Sequence, residues 1–305
     1  MSPTGTTVAV IGAGGVMGAP IARNLARAGF SVRAWNRTAA KLEALADEPG
    51  IEVFDQPAAA AADADIVISL LSDATVTLET MAFLDGDGAV APGAIWVQSA
   101  TIGSEGTERC AALAAAAGIG FVDAPLLGTK EPAEAGMLVV LAAGAESLGT
   151  RLEPVFEAIG RRTIWVGTDP VAASRLKLTI NTWILALAEA TAETVALAGG
   201  LGVAPELLFD ALSGTPLDSP YLRGKAAAML AHDFEPTLSL TLAAKDAGLA
   251  ADAGRAAGLD LPLLEAVRAR LEEAALLRGG ADVGATYLFA LGGDAKSLEF
   301  NEGGS

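Results

Sequence analysis

Short apolar runs recur along the first half of the chain and alternate with segments of helical period. The β-rich runs are Thr7–Ile11, Ser31–Asn36, Ile51–Phe54, Ile66–Leu70, Ile95–Gln98 and Gly120–Asp123, followed by Leu138–Ala142 and Arg162–Val166. Between them lie stretches such as Ala19–Ala28, where Ile21, Leu25 and Ala28 share one helical face and Gly29 supplies the stop. Strand and helix in alternation predict an α/β fold with a parallel, doubly wound sheet.

Beyond Val166 the pattern changes. Val171 to Ala198 is one apolar stretch without Pro or Gly, and only helical patterns follow it. A helix of that length spans about 40 Å at 1.5 Å per residue, more than one small domain needs. It is expected to start at a domain junction and carry a second, all-helical domain. Its apolar residues fall on every face, which predicts burial against another copy and hence a homodimer. The pattern divides the chain into an α/β domain over residues 1–167, an all-helical domain over 168–291 and a flexible tail over 292–305, where Gly, Asp, Ser and Asn dominate.

The formal net charge of −17 excludes nucleic acid and anionic membrane surfaces as partners, because phosphate neutralisation needs clustered cations. An anionic ligand must then be held by a few placed Lys and Arg. The apolar run near the N-terminus is too short for a signal-peptide core, and no segment approaches the ~20 apolar residues of a membrane span. A single cysteine, Cys110, excludes an internal disulfide, makes the cytoplasm the simplest address, and reads as a packing residue in an Ala-rich helix. With His232 alone to join it, no Cys/His metal cluster is expected.

The first strand runs directly into Gly12-Ala13-Gly14-Gly15-Val16-Met17-Gly18 and then a helix. Glycine is demanded there by a tight turn, by close approach of backbone to a pyrophosphate and by close packing of helix on strand. The helix N-terminus offers N–H groups to the phosphate. Strand, loop and helix together predict a dinucleotide-binding Rossmann domain over residues 1–167. The second strand ends Asn36-Arg37-Thr38, without the acidic residue that would take a ribose 2′-hydroxyl. Arg37 and Thr38 suit a 2′-phosphate, so the expected cofactor is NADPH. Leu71-Ser72, after the fourth strand, occupies the sheet edge where such a cofactor lies.

Reduction of a carbonyl with a nicotinamide also needs a proton donor from the protein. Lys177 and Asn181, four apart in the long helix, project from one face among Leu, Ile and Trp. A Lys in apolar surroundings is costly, and burial draws its pKa toward useful acid–base values.

Taken with these, four motifs resemble the β-hydroxyacid dehydrogenases, a family that includes 3-hydroxyisobutyrate dehydrogenase and the glyoxylate/succinic semialdehyde reductases. They are the glycine loop with Met17-Gly18-Ala19-Pro20; Asp123-Ala124-Pro125-Leu126-Leu127-Gly128-Thr129; Lys177 with Asn181; and Phe234 with Lys245-Asp246. The run Gly128–Gly136 is similar to the glyoxylate reductase branch. The resemblance covers about residues 7 to 290. It implies an NADPH-dependent reductase of small aldehydes, carboxylated ones above all, with Lys177 as general acid and Asn181 orienting substrate. It places Leu127, Gly128 and Thr129 in the cradle for a carboxylate, with Phe234 beside the substrate. It also puts Lys245 and Thr101 near nicotinamide and substrate.

The chain departs from the family at several points. Leu127 stands where a Ser is usual and Thr129 where a second Gly is usual, while Gln98 and Ala100 replace the Asp and Ser ahead of Thr101. These changes make the pocket more apolar. Two other readings stay open. One is an imine reductase, from a sister group that usually lacks Lys at this position; the other is a cofactor-binding scaffold without catalysis. His232 reads as a surface cap and Trp183 as core or pocket wall.

Overall fold

The structure is a computed structural model that describes residues 5–86 and 90–292; the expected tail lies, from residue 293 onward, outside the described residues. The strands are β1 (Thr7–Ile11), β2 (Ser31–Trp35), β3 (Ile51–Phe54), β4 (Ile66–Ser69), β5 (Ile95–Gln98), β6 (Gly120–Asp123), β7 (Leu126–Leu127), β8 (Leu138–Gly144) and β9 (Gly160–Gly167). The helices among them are α1 (Gly18–Arg27), α2 (Glu43–Ala46), α3 (Pro57–Ala61), α4 (Ala74–Met81), α5 (Gly103–Ala116), α6 (Lys130–Glu134) and α7 (Glu146–Ile159). The remainder are α8 (Ala172–Gly200), α9 (Pro205–Leu212), α10 (Pro220–Leu230), α11 (Leu240–Ala256), α12 (Pro262–Arg278) and α13 (Thr286–Ala290). Each strand expected from the sequence is present, with ends displaced by two residues at most. The chain divides into two compact units at Leu178/Thr179, within α8.

Among the described residues of the first unit the strands form one nine-stranded sheet in the order β3-β2-β1-β4-β5-β6-β8, with β7 and β9 also paired to β8. Alternate side chains point to opposite faces. Val8 and Val10 of β1 thus join Ile66, Ile68, Ile95 and Val97 in a core covered by α1 and α7. Ala9, Ile11, Val67 and Trp96 face the other way, under α3, α4 and α5. Burial on both faces explains why these strands read as nearly continuous apolar runs.

The sheet is parallel from β3 through β6, but β8 runs antiparallel to β6 and β7. The segment 128–137 holds only the five-residue α6, short of the roughly dozen residues that a parallel crossover requires, so the chain must turn back. β7 is absent from the sequence reading because two residues carry no period.

In the second unit the core gathers Leu185, Ala188, Ala192 and Val195 of α8 with Met229, Leu240, Ala243, Val267, Leu271 and Phe289. Asp282 ties this unit together. Its carboxylate accepts hydrogen bonds from Lys225 Nζ (2.5 Å), Thr237 Oγ1 (2.7 Å), Thr237 N (3.0 Å) and Gly284 N (2.9 Å). Its own N–H donates to the Phe234 carbonyl. No helix among the described residues is long and apolar enough to cross a membrane.

Burial alone would raise the Asp282 carboxyl, but Lys225 and the converging donors hold it below its ordinary value. A carboxyl with a lowered folded-state pKa contributes stability above the unfolded-state value and loses it as pH falls. Asp282→Ala is therefore expected to cost about 3–5 kcal/mol at neutral pH in urea unfolding, since it leaves the mostly covered Lys225 ammonium without its carboxylate, with only the Thr237 hydroxyl to meet it. That cost should shrink on acidification below the ordinary carboxylate range. A cost below about 1 kcal/mol at neutral pH would show that the network does not hold the unit.

Candidate active site

The glycine loop is shaped by contacts that exclude a Cβ. Gly12 sits at φ +100°, and a Cβ there would lie 2.3 Å from the Leu70 carbonyl oxygen. At Gly14 it would meet Lys41 Cβ at 2.7 Å and Asn36 Cγ at 2.8 Å, and at Gly18 the Gly12 oxygen at 2.2 Å. The N–H groups of Gly12 and Ala13 both donate to the Trp35 carbonyl, fastening the loop to the end of β2. Gly15 differs, because a Cβ there would meet nothing closer than 3.4 Å. The protein leaves that space open. The N–H groups of Val16 and Met17 have no acceptor among the described residues, and no side chain caps α1.

Around this loop stand the ends of β2, β4 and β5. Asn36 Nδ2 donates to the Thr38 carbonyl at 3.0 Å, bending the chain so that Arg37 and Thr38 are exposed. The 3₁₀ turn Ala39–Leu42 then returns Lys41 to the flank of Gly14. Lys41 is a cation that sequence reasoning missed; the signal was its spacing of three from Thr38. Leu71 packs against Gly12, and the neighbouring Ser72 hydroxyl donates to Asp73, which caps α4 through Val76 N. At the end of β5, Gln98 is fully buried: its Nε2 donates to the Ala100 carbonyl, and its Oε1 accepts from Ala100 N. One neutral amide thus satisfies both sides of the loop that presents Thr101.

Asp123, at the end of β6, is buried; it accepts from Ser174 N at 2.6 Å and shares a hydrogen bond with Ser174 Oγ at 2.9 Å, gripping the first turn of α8. Burial pushes the Asp123 carboxyl up to about 7 against the bonds from Ser174, and the Asp169 carboxylate adds to the rise. Three residues beyond Ser174, the half-buried Lys177 donates from Nζ to the Leu126 carbonyl at 2.8 Å. That bond brings the ammonium to Leu127-Gly128-Thr129. Gly128 is at φ +136°, a backbone conformation that strains any side chain, and a Cβ there would lie 2.7 Å from Leu138 Cδ2. The Thr129 hydroxyl donates to Glu131 at 3.3 Å. Cys110 is buried, its thiol pushed up to about 12 chiefly by burial, consistent with packing alone.

In the second unit, the buried Asn181 donates from Nδ2 to Asp246 Oδ2 at 2.8 Å. Asp246 Oδ1 lies 2.9 Å from Lys245 Nζ, an ion-pair contact rather than an aligned hydrogen bond. Asp246 therefore links the two polar residues expected to meet substrate, a link the spacing did not reveal. Phe234 packs against this unit's core, with its carbonyl held by Asp282 N. His232 lies exposed just past α10 at φ +53°, edge-on to Phe234 and Tyr287. Trp183, expected as core or pocket wall, is 66% exposed.

Residues 7–167 match the family described as the NAD binding domain of 6-phosphogluconate dehydrogenase, and residues 172–290 that described as the NAD-binding of NADP-dependent 3-hydroxyisobutyrate dehydrogenase. The chain belongs to the β-hydroxyacid dehydrogenase family. Glyoxylate/succinic semialdehyde reductase 1 of Arabidopsis thaliana is a relative, 29% identical over 263 residues that span 85% of this chain and 90% of its own. The Mycobacterium tuberculosis 3-hydroxyisobutyrate dehydrogenase structure with L-serine superposes at a TM-score of 0.83 with 29% identity, covering 93% of this chain and 98% of that one. An imine reductase from Pseudomonas sp., 20% identical, covering 94% of this chain and 99% of its own, has a TM-score of 0.59 and shares the fold alone.

As a β-hydroxyacid dehydrogenase the chain is an NAD(P)-dependent oxidoreductase acting on CH–OH groups. Its glycine loop fits the dinucleotide: Gly12, Gly14 and Gly18 are required by the protein's own contacts, whereas at Gly15 the backbone borders open space in which a pyrophosphate could approach it.

Proposed function

We propose that this β-hydroxyacid dehydrogenase uses NADPH to reduce small aldehydes bearing a carboxylate, such as glyoxylate and succinic semialdehyde, or to interconvert 3-hydroxyacids and their semialdehydes. The bond from Lys177 Nζ to the Leu126 carbonyl carries the reading, because it sets a proton donor at the mouth of the 127–129 segment. Pyrophosphate oxygens would be held by Gly15, Val16 and Met17, and the nicotinamide would supply hydride to the carbonyl carbon. Lys177 gives its proton to the carbonyl oxygen as negative charge develops there. Asn181, whose NH₂ faces the Asp246 carboxylate, turns its carbonyl the other way as an acceptor for the product hydroxyl. Carboxylate recognition falls to main-chain N–H groups near Gly128, to Lys245 and to the Thr129 hydroxyl, which must turn from Glu131 to donate to substrate, since Leu127 has no donor.

Arg37, Thr38 and Lys41, all exposed beside the loop, favour a 2′-phosphate and hence NADPH. NADPH should be preferred over NADH by at least about tenfold in kcat/KM, worth roughly 1.4 kcal/mol. Arg37→Ala and Lys41→Ala should each raise KM for NADPH and leave KM for NADH within about twofold. Equal use of both cofactors by the unaltered enzyme would overturn this preference.

The helical unit supports a homodimer. Trp183 of α8 is 66% exposed, and Leu263 and Leu276 of α12 are 67% and 87% exposed, apolar surface that a second copy would cover. Light scattering at micromolar concentration should give about twice the mass of one chain. A clean monomer would refute the assembly.

Lys177→Ala should lower kcat on the best aldehyde by roughly 10²–10⁴, with cofactor affinity little changed. Asn181→Ala should cost less. Reduction of a cyclic imine is the second reading, favoured by the apolar Leu127 in the cradle. A protonated imine already carries its proton, so Lys177→Ala would then spare most of the rate. Imine reduction that survives this substitution, with no aldehyde turned over, would replace the first reading by the second.

A further inference from the structure

Three oxygen–oxygen contacts run in series at the foot of α8. Asp123 Oδ1 lies 2.9 Å from Ser174 Oγ, which lies 2.9 Å from Thr107 Oγ1, which lies 2.8 Å from the Gly103 carbonyl oxygen. All three side chains are buried. Each contact needs one proton. The two hydroxyls bring two, and the Gly103 carbonyl brings none. If Asp123 were ionised, one contact would set two lone pairs face to face, away from water, where an unmade hydrogen bond is most costly.

We infer that Asp123 is held as a neutral carboxylic acid and serves as the positioning residue for Lys177. The proton on Oδ1 completes the series: the carboxyl O–H donates to Ser174, Ser174 to Thr107, and Thr107 to the Gly103 carbonyl. Oδ2, now of carbonyl type, accepts the Ser174 N–H at 2.6 Å. The surroundings agree. The carboxylate of Asp169, ahead of α8, opposes a second negative charge, and the Cys110 thiol on α5 is neutral, its own neighbour Arg109 acting on it. Both hydrogen-bonding partners of Asp123 are atoms of Ser174.

Neutrality matters for the proton donor. The segment Asp123–Leu126 holds α8 at two points, Ser174 through Asp123 and Lys177 through the Leu126 carbonyl. That grip fixes the first turn of the helix and with it the place from which Lys177 reaches substrate. A buried negative charge in the same segment would also hold the Lys177 proton more tightly and oppose its transfer. The neutral acid gives the grip without the charge.

The positioning role rests on Lys177 being the proton donor, so the test separates the two. Infrared difference spectra between the unaltered enzyme and Asp123→Asn near pH 6 should show a protonated-carboxyl C=O band lost in the variant, whatever the activity. Melting curves give a second measure. A carboxyl with a raised folded-state pKa favours the folded state at acid pH and loses that advantage as pH rises through its folded value, about 7 here. The melting temperature of the unaltered enzyme should fall across that range relative to Asp123→Asn.

In turnover, Asp123→Asn, which can donate to Ser174 and accept its N–H, should keep at least about a third of kcat, whereas Asp123→Ala should fall about tenfold or more with KM for NADPH little moved. If Asp123→Ala does not fold, Ser174→Ala carries this arm with the same expected loss. Either loss should vanish on a Lys177→Ala background. Absence of the infrared band, or Asp123→Asn as slow as Asp123→Ala, overturns the neutral acid. Loss that persists fully without Lys177 overturns the positioning role. A Lys177→Ala enzyme with undiminished kcat refutes Lys177 as donor, while the infrared band still decides the state of Asp123.

Discussion

The grip of one buried strand-end on the first turn of α8 organises the chemistry of this chain. A helix of 29 residues begins with main-chain N–H groups that have no partner of their own. Asp123 takes the N–H of Ser174, and the Leu126 carbonyl takes the ammonium of Lys177. Both acceptors come from one short segment in which β6 ends and β7 begins. The sheet, built for another purpose, thereby sets the register of the helix that carries the proposed proton donor.

This arrangement follows from the break in the sheet's direction. Had the chain continued from β6 by another parallel crossover, residues 124–128 would have left the sheet and entered a helix. The antiparallel return through β7 keeps them at the sheet's rim instead. The Leu126 carbonyl remains available to Lys177, and Gly128 can take its left-handed conformation against Leu138. The cradle is thus a product of topology as much as of the residues in it.

Much of the fold was legible because its strands are buried on both faces, so their apolar runs stand out between turn residues. The glycine loop was legible for a different reason, namely that close backbone approach leaves glycine no substitute. The long helix announced itself by the absence of Pro and Gly from Val171 to Ala198. What was not legible depends on contacts between residues far apart in sequence. Nothing in the spacing joins Asn181 to Asp246 or Asp123 to Ser174, and a two-residue strand has no period to detect. Lys41 was hidden by a turn: only the 3₁₀ geometry after Thr38 brings it to the flank of Gly14. Gln98 read as a departure from the family pattern, yet its amide satisfies both the N–H and the carbonyl of Ala100 without a charge.

Asp282 has a consequence for the order in which the chain takes shape. It lies 48 positions beyond Phe234, yet its N–H holds the Phe234 carbonyl and its carboxylate fastens Thr237 and Lys225. During synthesis, α10 and the segment after it emerge well before the residue that anchors them. Until Asp282 leaves the ribosome, Lys225 has no carboxylate to meet and the Phe234 turn has no donor. The second unit therefore closes late and from its C-terminal side, and a chain interrupted just short of Asp282 would carry α8 through α12 with the Phe234 turn unset.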